Sequence, residues 1–184
     1  AFCFGEGEKP LKDLILSKNR KHFLNHSNSW ITKEKLIEKQ SFIPKHDFIE
    51  DLDEIPFFDY DLCDINRHGI NPVTTSFHNI EDQFGFHIMT SRGCPYLCTF
   101  CASHKTHGRK MRYHSVDRVK EDLIKLKENY NAKTVVFQDD HLMGNKERVY
   151  QILNIVGKLN LGSLYQNGLT LYALDRPMLE AFYV

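Results

Sequence analysis

Residues 91–103 read SRGCPYLCTFCAS and place three of the chain's five cysteines, Cys94, Cys98 and Cys101, at spacing C-x3-C-x2-C. Three thiols this close cannot all pair with one another, so metal binding is the leading expectation. Soft thiolates select zinc, copper(I) or iron–sulfur clusters. A cluster on four cysteines is coordinatively closed, whereas one on three leaves an iron open to a non-protein ligand. An open position is what gives a metal centre its chemistry, as in catalytic zinc sites. Zinc is the rival: His104 follows Cys101 by three, so Cys94, Cys98, Cys101 and His104 also compose a Cys3His structural set. Structural zinc more often draws its ligands from two separated knuckles, and here His107 stands close by as well. Three unrelated buried thiols are the third reading. Spacing alone leaves all three open.

The elements around the motif decide where such a loop would stand. Phe86 to Met89 reads as a strand running into the cysteines. Ser115 is a plausible N-cap with Asp117 in the first turn, and Val116, Val119, Leu123, Ile124 and Leu126 give one apolar helix face ending near 129–131. Thr134 to Phe137 is a short β-branched run, read as a buried strand. Asn145 caps the next expected helix, residues 164–172 with Leu169 and Leu171 alternating suggest a third strand, and Arg176 to Phe182 begins a third helix. Strand and helix alternating at this spacing imply a parallel sheet with right-handed crossovers. About three such units make half of a small or open barrel, with the cysteine loop at the strand ends where ligands collect.

Before residue 85 the pattern is weaker. Ala1 to Phe4 is strand-like and ends in the turn GEGE at 5–8, followed by a helix from Pro10 with Leu11, Leu14 and Ile15 at helical spacing. Residues 22–84 are expected to be a linker, with a helix at 33–39, an acidic stretch at 49–54 and a loop at 66–75. The domains expected are thus 1–21, 22–84 and 85–184. Lys plus Arg equals Asp plus Glu at 24 each, so no basic field argues for a nucleic-acid partner or an anionic membrane. No apolar run approaches the roughly 18 residues of a membrane helix. An odd cysteine count with three crowded together fits a reducing, cytoplasmic setting. Cys3 and Cys63 lie outside the motif and are expected to be buried thiols. The chain opens without Met and stops inside a helix-like pattern, and it is expected to be a piece of a longer protein.

The motif, with an aromatic (Phe100) directly before its last cysteine, resembles the signature of radical S-adenosylmethionine (radical SAM) enzymes. The longer string SRGCPYLCTFCAS resembles the subgroup whose radical domain follows a cobalamin-binding domain. GEGE at 5–8 is similar to the end of such a Rossmann-like domain, EDLDEIPFFDYDL at 50–62 to its linker, and residues 114–143 and 167–182 to the next parts of a TIM-like barrel. The resemblance implies a [4Fe-4S] cluster on Cys94, Cys98 and Cys101, with S-adenosylmethionine chelating the fourth iron. Electron transfer would split its sulfonium bond and release a 5′-deoxyadenosyl radical that takes hydrogen from an unactivated carbon. Phe100 would lie against the adenine. The position after the second strand, Gln138-Asp139-Asp140, would meet the methionyl ammonium, with Asp139 and Asp140 as the binding carboxylates. Arg92, Arg109, Lys110 and Arg112 bracket the loop; they could balance cluster and carboxylate charge, but solvated surface accounts for most of them. Cobalamin is inherited by the resemblance with no ligand in view. A small-molecule or peptide substrate and a reductase or flavodoxin-type electron donor follow as partners, and methyl transfer or ring formation as outcomes. The alternatives are a tRNA methylthiotransferase, against which the neutral charge weighs, and the non-enzymatic zinc module. A family barrel has more units than this chain supplies, so residues 1–184 alone are expected to be inactive.

Overall fold

The computed structural model describes residues 1–38, 42–62 and 85–182. The expected loop at 66–75, Cys63 and part of the expected linker lie outside the described residues. In chain order the early elements are β1 (Phe2–Cys3), α1 (Glu8–Leu16), α2 (Arg20–His26), β2 (Trp30–Ile31) and α3 (Lys33–Glu38). Around the cysteines come β3 (Gly85–Ile88), β4 (Ser91–Arg92), α4 (Ser103–Thr106) and β5 (Arg112–Tyr113). Then follow α5 (Val116–Tyr130), β6 (Thr134–Phe137), α6 (Lys146–Lys158), β7 (Gly162–Tyr165) and α7 (Arg176–Phe182). The chain divides into two units, Ala1–Ile55 with Gly93–Arg112 and Pro56–Arg92 with Tyr113–Val184. These units cut the chain elsewhere than at the sequence-expected boundaries after 21 and 84.

The second unit is α/β, with a parallel sheet in the order β3-β6-β7. Phe86 stands opposite Val135, His87 opposite Val136 and Ile88 opposite Phe137, and Val136 and Phe137 in turn face Leu164 and Tyr165. Alternation sends Phe86, Val135 and Phe137 to one face, where they join α5 and α6 in a single core. α5 contributes Val119, Leu123 and Leu126, and α6 contributes Val149, Ile152 and Val156, all at most 3% exposed. Each such side chain stabilises the unit by about 1.5–3 kcal/mol. The caps are those the sequence names. Ser115 Oγ accepts from Arg118 N–H at 3.1 Å and Asn145 Oδ1 accepts from Arg148 N–H at 3.1 Å. α5 ends at Asn131, whose φ of 53° lets the Ala132 N–H reach back to the Leu126 carbonyl.

The third strand differs from expectation. It occupies Gly162–Tyr165 rather than 164–172. The chain turns into the sheet directly after α6, because the Gly162 N–H bonds the Lys133 carbonyl at 2.8 Å and locks the register. Leu169 and Leu171 alternate without a strand: Gly168 has φ +80°, and Leu171–Ala173 is a 3-10 turn that leaves Leu171 exposed.

In the first unit β1 pairs antiparallel with β2, Phe2 opposite Ile31 and Cys3 opposite Trp30. Pro10 sits in the first turn of α1, where its missing N–H leaves no helical bond unmade, and it is buried. Among the described residues no helix is long and apolar enough to cross a membrane.

Candidate functional site

The cysteine loop leaves the second unit through Thr90 and Ser91, and both are wholly buried. A buried hydroxyl needs partners, and the residue after Gln138 supplies them. Asp139 accepts from the Thr90 N–H at 3.1 Å, the Thr90 hydroxyl at 2.8 Å and the Ser91 hydroxyl at 2.5 Å. Burial pushes the Asp139 carboxyl above its usual range, and the bonds from Ser91 and Thr90 and the charge of Arg148 oppose that rise. Arg148, near the start of α6, donates to the Thr90 carbonyl at 2.8 Å, the Thr90 hydroxyl at 3.3 Å and the His114 carbonyl at 3.0 and 3.1 Å. The His114 N–H itself bonds the Thr90 carbonyl at 3.0 Å. Asp139 and Arg148 therefore fix the point at which the chain sets out toward the cysteines and the point at which it returns.

Within the first unit the loop is closed by backbone. Gly93 has φ +92°, and a Cβ there would stand 2.2 Å from the Lys110 carbonyl oxygen, so no other residue fits. The Cys94 N–H bonds the Gly108 carbonyl at 3.2 Å, and the Cys101 N–H bonds the Cys98 carbonyl at 3.2 Å. Arg109 Nη1 donates to the Tyr96 carbonyl at 2.5 Å across the loop. The returning arm is anchored by Arg112, whose fork meets the Glu6 carboxylate at 2.6 and 2.9 Å, both side chains being only 2% exposed. The same guanidinium donates to the carbonyls of Ile49 and His107 and lies 4.4 Å over the Phe48 ring. His46 stacks on Phe48 at 4.5 Å and meets Phe4 at 4.6 Å with the rings tilted by 36°. Its Nδ1 is buried without a hydrogen-bond partner among the described residues, and burial depresses its pKa.

Cys94 and Cys101 are half-buried thiols and Cys98 is exposed, with the Cys101 Sγ 3.3 Å from the Ser103 hydroxyl. Three soft donors on one loop fit a three-thiolate cluster in kind and number. Among the described residues no three His, Cys, Asp or Glu side chains are gathered around one point, so the fit rests on the donor set. The same holds for the set that adds His104. Cys3 is half-buried, with its pKa raised first by burial and then by Asp47 and Glu8.

The other sequence-named residues fall in different settings. Phe100 is 92% exposed, beside the exposed Leu97 and Cys98. Asp140 is half-exposed, whereas Asp139 is enclosed at 4% and occupied by Thr90 and Ser91. Arg109 and Lys110 are surface residues, Lys110 pairing with Glu50 at 2.6 Å. Arg112 is the exception among the four basic residues, since it is buried and ion-paired. Glu6, Thr90, Arg148 and His46 were not named from sequence. The side-chain bonds of Glu6 and Arg148 reach partners 34 to 106 residues away, and no local pattern marks such a contact. For Thr90 and Ser91 the one available signal was two hydroxyls in a row directly after a strand.

Residues 88–173 match the Radical SAM superfamily. The chain is 36% identical over 150 residues to an uncharacterized methyltransferase of Pyrococcus horikoshii, covering 80% of this chain and 30% of that protein. It is 25% identical over 130 residues to the cytidylyl-2-hydroxyethylphosphonate methyltransferase of Streptomyces wedmorensis, covering 71% of this chain and 24% of that protein. A bacteriochlorophyllide d C-12(1)-methyltransferase of Chlorobaculum tepidum is 26% identical over 92 residues, 49% of this chain and 20% of that one. The chain thus spans less than a third of the length of the curated relatives it matches.

Proposed function

This chain belongs to the radical SAM superfamily, and from that premise we propose that it is the part of a methyltransferase that holds the iron–sulfur cluster and begins the barrel. The observation that carries the reading is the loop from Gly93 to Arg112, which presents three thiols, closes tightly on the Lys110 carbonyl at Gly93 and is anchored at Arg112 by buried bonds to Glu6. Cys94, Cys98 and Cys101 would hold a [4Fe-4S] cluster. When bound, that cluster supplies the electron that cleaves S-adenosylmethionine to a 5′-deoxyadenosyl radical. The chain's own residues have three tasks. Thr90, Ser91, Asp139 and Arg148 hold the strand end from which the loop departs. Phe100 offers an apolar ring for the adenine, consistent with its exposure. Asp140 offers a carboxylate for the methionyl ammonium, and Asp139 acts through the loop root instead. The three βα units are read as the first part of a TIM-like barrel. Methyl transfer is preferred over ring formation because the relatives carry methyltransferase names. Cobalamin as methyl carrier rests on the resemblance of SRGCPYLCTFCAS, of GEGE at 5–8 and of residues 50–62, and an external reductase would supply the electron.

The test is anaerobic iron and sulfide reconstitution of the complete protein, followed by absorption and electron paramagnetic resonance spectra with and without S-adenosylmethionine. A brown protein whose spectrum changes on adding S-adenosylmethionine, and which loses iron in Cys94→Ser, Cys98→Ser and Cys101→Ser, supports the reading. A colourless protein that holds one zinc and loses it in His104→Ala would refute it.

A further inference from the structure

The face of the parallel sheet opposite the core carries its own row. His87, Val136 and Leu164 stand in register across β3, β6 and β7. Gln138 and Gln166 follow two residues beyond Val136 and Leu164, so strand alternation returns them to that face. The Gln138 N–H still bonds the Ile88 carbonyl at 2.9 Å, which extends the ladder by one residue. The Asn167 amide donates to the Gln138 carbonyl at 2.9 Å and holds the strand end. Gln138 Nε2 lies 2.8 Å from His87 Nδ1 and also bonds Gln166 Oε1, so one amide joins side chains from three neighbouring strands. His87 and Gln166 are exposed.

Surface amides gain little by being tied together, since each ordered Gln gives up about 1.5–2 kcal/mol of rotamer freedom. Here two glutamines and a histidine are tied at the carboxyl ends of parallel strands, where α/β sheets collect ligands. The row has no formal charge. Although the side chain reaches solvent, partial desolvation lowers the His87 pKa and so favours the uncharged imidazole. Turning the Gln138 amide over exchanges donors for acceptors along the row without charging it, so its character does not depend on the tautomer. A carboxylate or an ammonium would find no counter-charge in the row itself, whereas an amide could both donate and accept.

We propose that His87, Gln138 and Gln166 form a recognition subsite for an uncharged donor–acceptor group, a carboxamide or peptide amide of the substrate. This rests on reading that sheet face as a wall of the reaction chamber. It names a substrate class that neither the cluster nor S-adenosylmethionine requires. Selectivity of this kind comes from leaving the row's polar groups unmatched by the wrong ligand.

The test uses benzamide, benzoate and benzylamine, three probes that share a ring and differ in the polar group. Saturation-transfer NMR on the complete, reconstituted protein reads their binding. Benzamide should bind at least tenfold tighter than either ion. Gln166→Leu and His87→Ala should each weaken benzamide by about tenfold, the loss of one or two uncharged hydrogen bonds. Equal binding of all three probes, or benzamide binding unchanged in both variants, overturns the proposal. Iron content and the S-adenosylmethionine-dependent spectrum are recorded on the same samples. A wild-type protein without that spectrum counts against the proposed function. Normal spectra with non-selective probes count against the subsite alone. A folded variant with normal iron and lost benzamide supports it.

Discussion

Replacing Arg148 by Met tests whether the loop root is held as described. Arg148 makes four hydrogen bonds onto Thr90 and His114 and is 6% exposed. It also supplies the charge that opposes the desolvation of Asp139. Met fills a similar volume but returns none of those bonds and removes a charge that helps hold Asp139 ionised. Leaving the buried Thr90 and His114 carbonyls short of donors, at about 1–3 kcal/mol each, brings the loss to about 3–5 kcal/mol. Amide exchange at Thr90 and Ser91 should then quicken by two to three and a half orders of magnitude, at about 1.4 kcal/mol per decade. Arg148→Lys keeps the charge and loses the fork, so it should fall between. The pH dependence has a defined sign. Asp139 titrates above 3.8 in the fold, and losing Arg148 raises it further. The excess cost is therefore present above that raised pKa and shrinks as pH falls and the carboxyl takes a proton in both proteins. The double variant Arg148→Met/Asp139→Asn should recover part of the loss, a coupling of at least about 1 kcal/mol. A cost below about 1 kcal/mol, or additive single effects, would refute the account of the root.

Three further outcomes are expected. Glu6→Gln should destabilise the first unit by about 3–5 kcal/mol, read as faster exchange of the Cys94 amide, because Arg112 keeps a buried charge without its carboxylate; unchanged exchange would show that the pair is dispensable. Gly93→Ala should cost about 2 kcal/mol or more by urea unfolding, since φ +92° and the Lys110 carbonyl both exclude a Cβ. His46 has a folded pKa below 6.5, so the unfolded chain takes up the proton first. Stability should fall as pH drops below about 6.5, level off under the folded pKa, and lose that slope in His46→Phe; a flat wild-type profile would contradict it.

What the sequence discloses here follows the range of the interaction. Ser115 and Asn145 were legible as caps because a cap bonds an N–H three residues away. β6 was legible because its β-branched run has few other uses, and the cysteine triad because its members stand within eight residues. The third strand was misplaced by Leu169 and Leu171, whose alternation belongs to a turn, while the pairing that places β7 is with a strand about thirty residues earlier. Arg112 carried no mark of burial, since its partner is Glu6. Asp139 was read as a carboxylate open to a ligand, and its enclosure by Thr90 and Ser91 left no local mark in the sequence.

The ion pair between Glu6 and Arg112 also bears on the order of events at the ribosome. The two residues are 106 apart. At about 5–20 residues per second, the carboxylate is made roughly 5–20 s before the guanidinium that will neutralise it. During that interval, burying Glu6 would cost more than it returns, so the N-terminal segment has reason to stay open to water. Closure would then wait for Arg112, by which point Cys94, Cys98 and Cys101 have all been synthesised. On that argument the pair would act as a timing device, delaying the packing of this unit until every thiol of the motif is present.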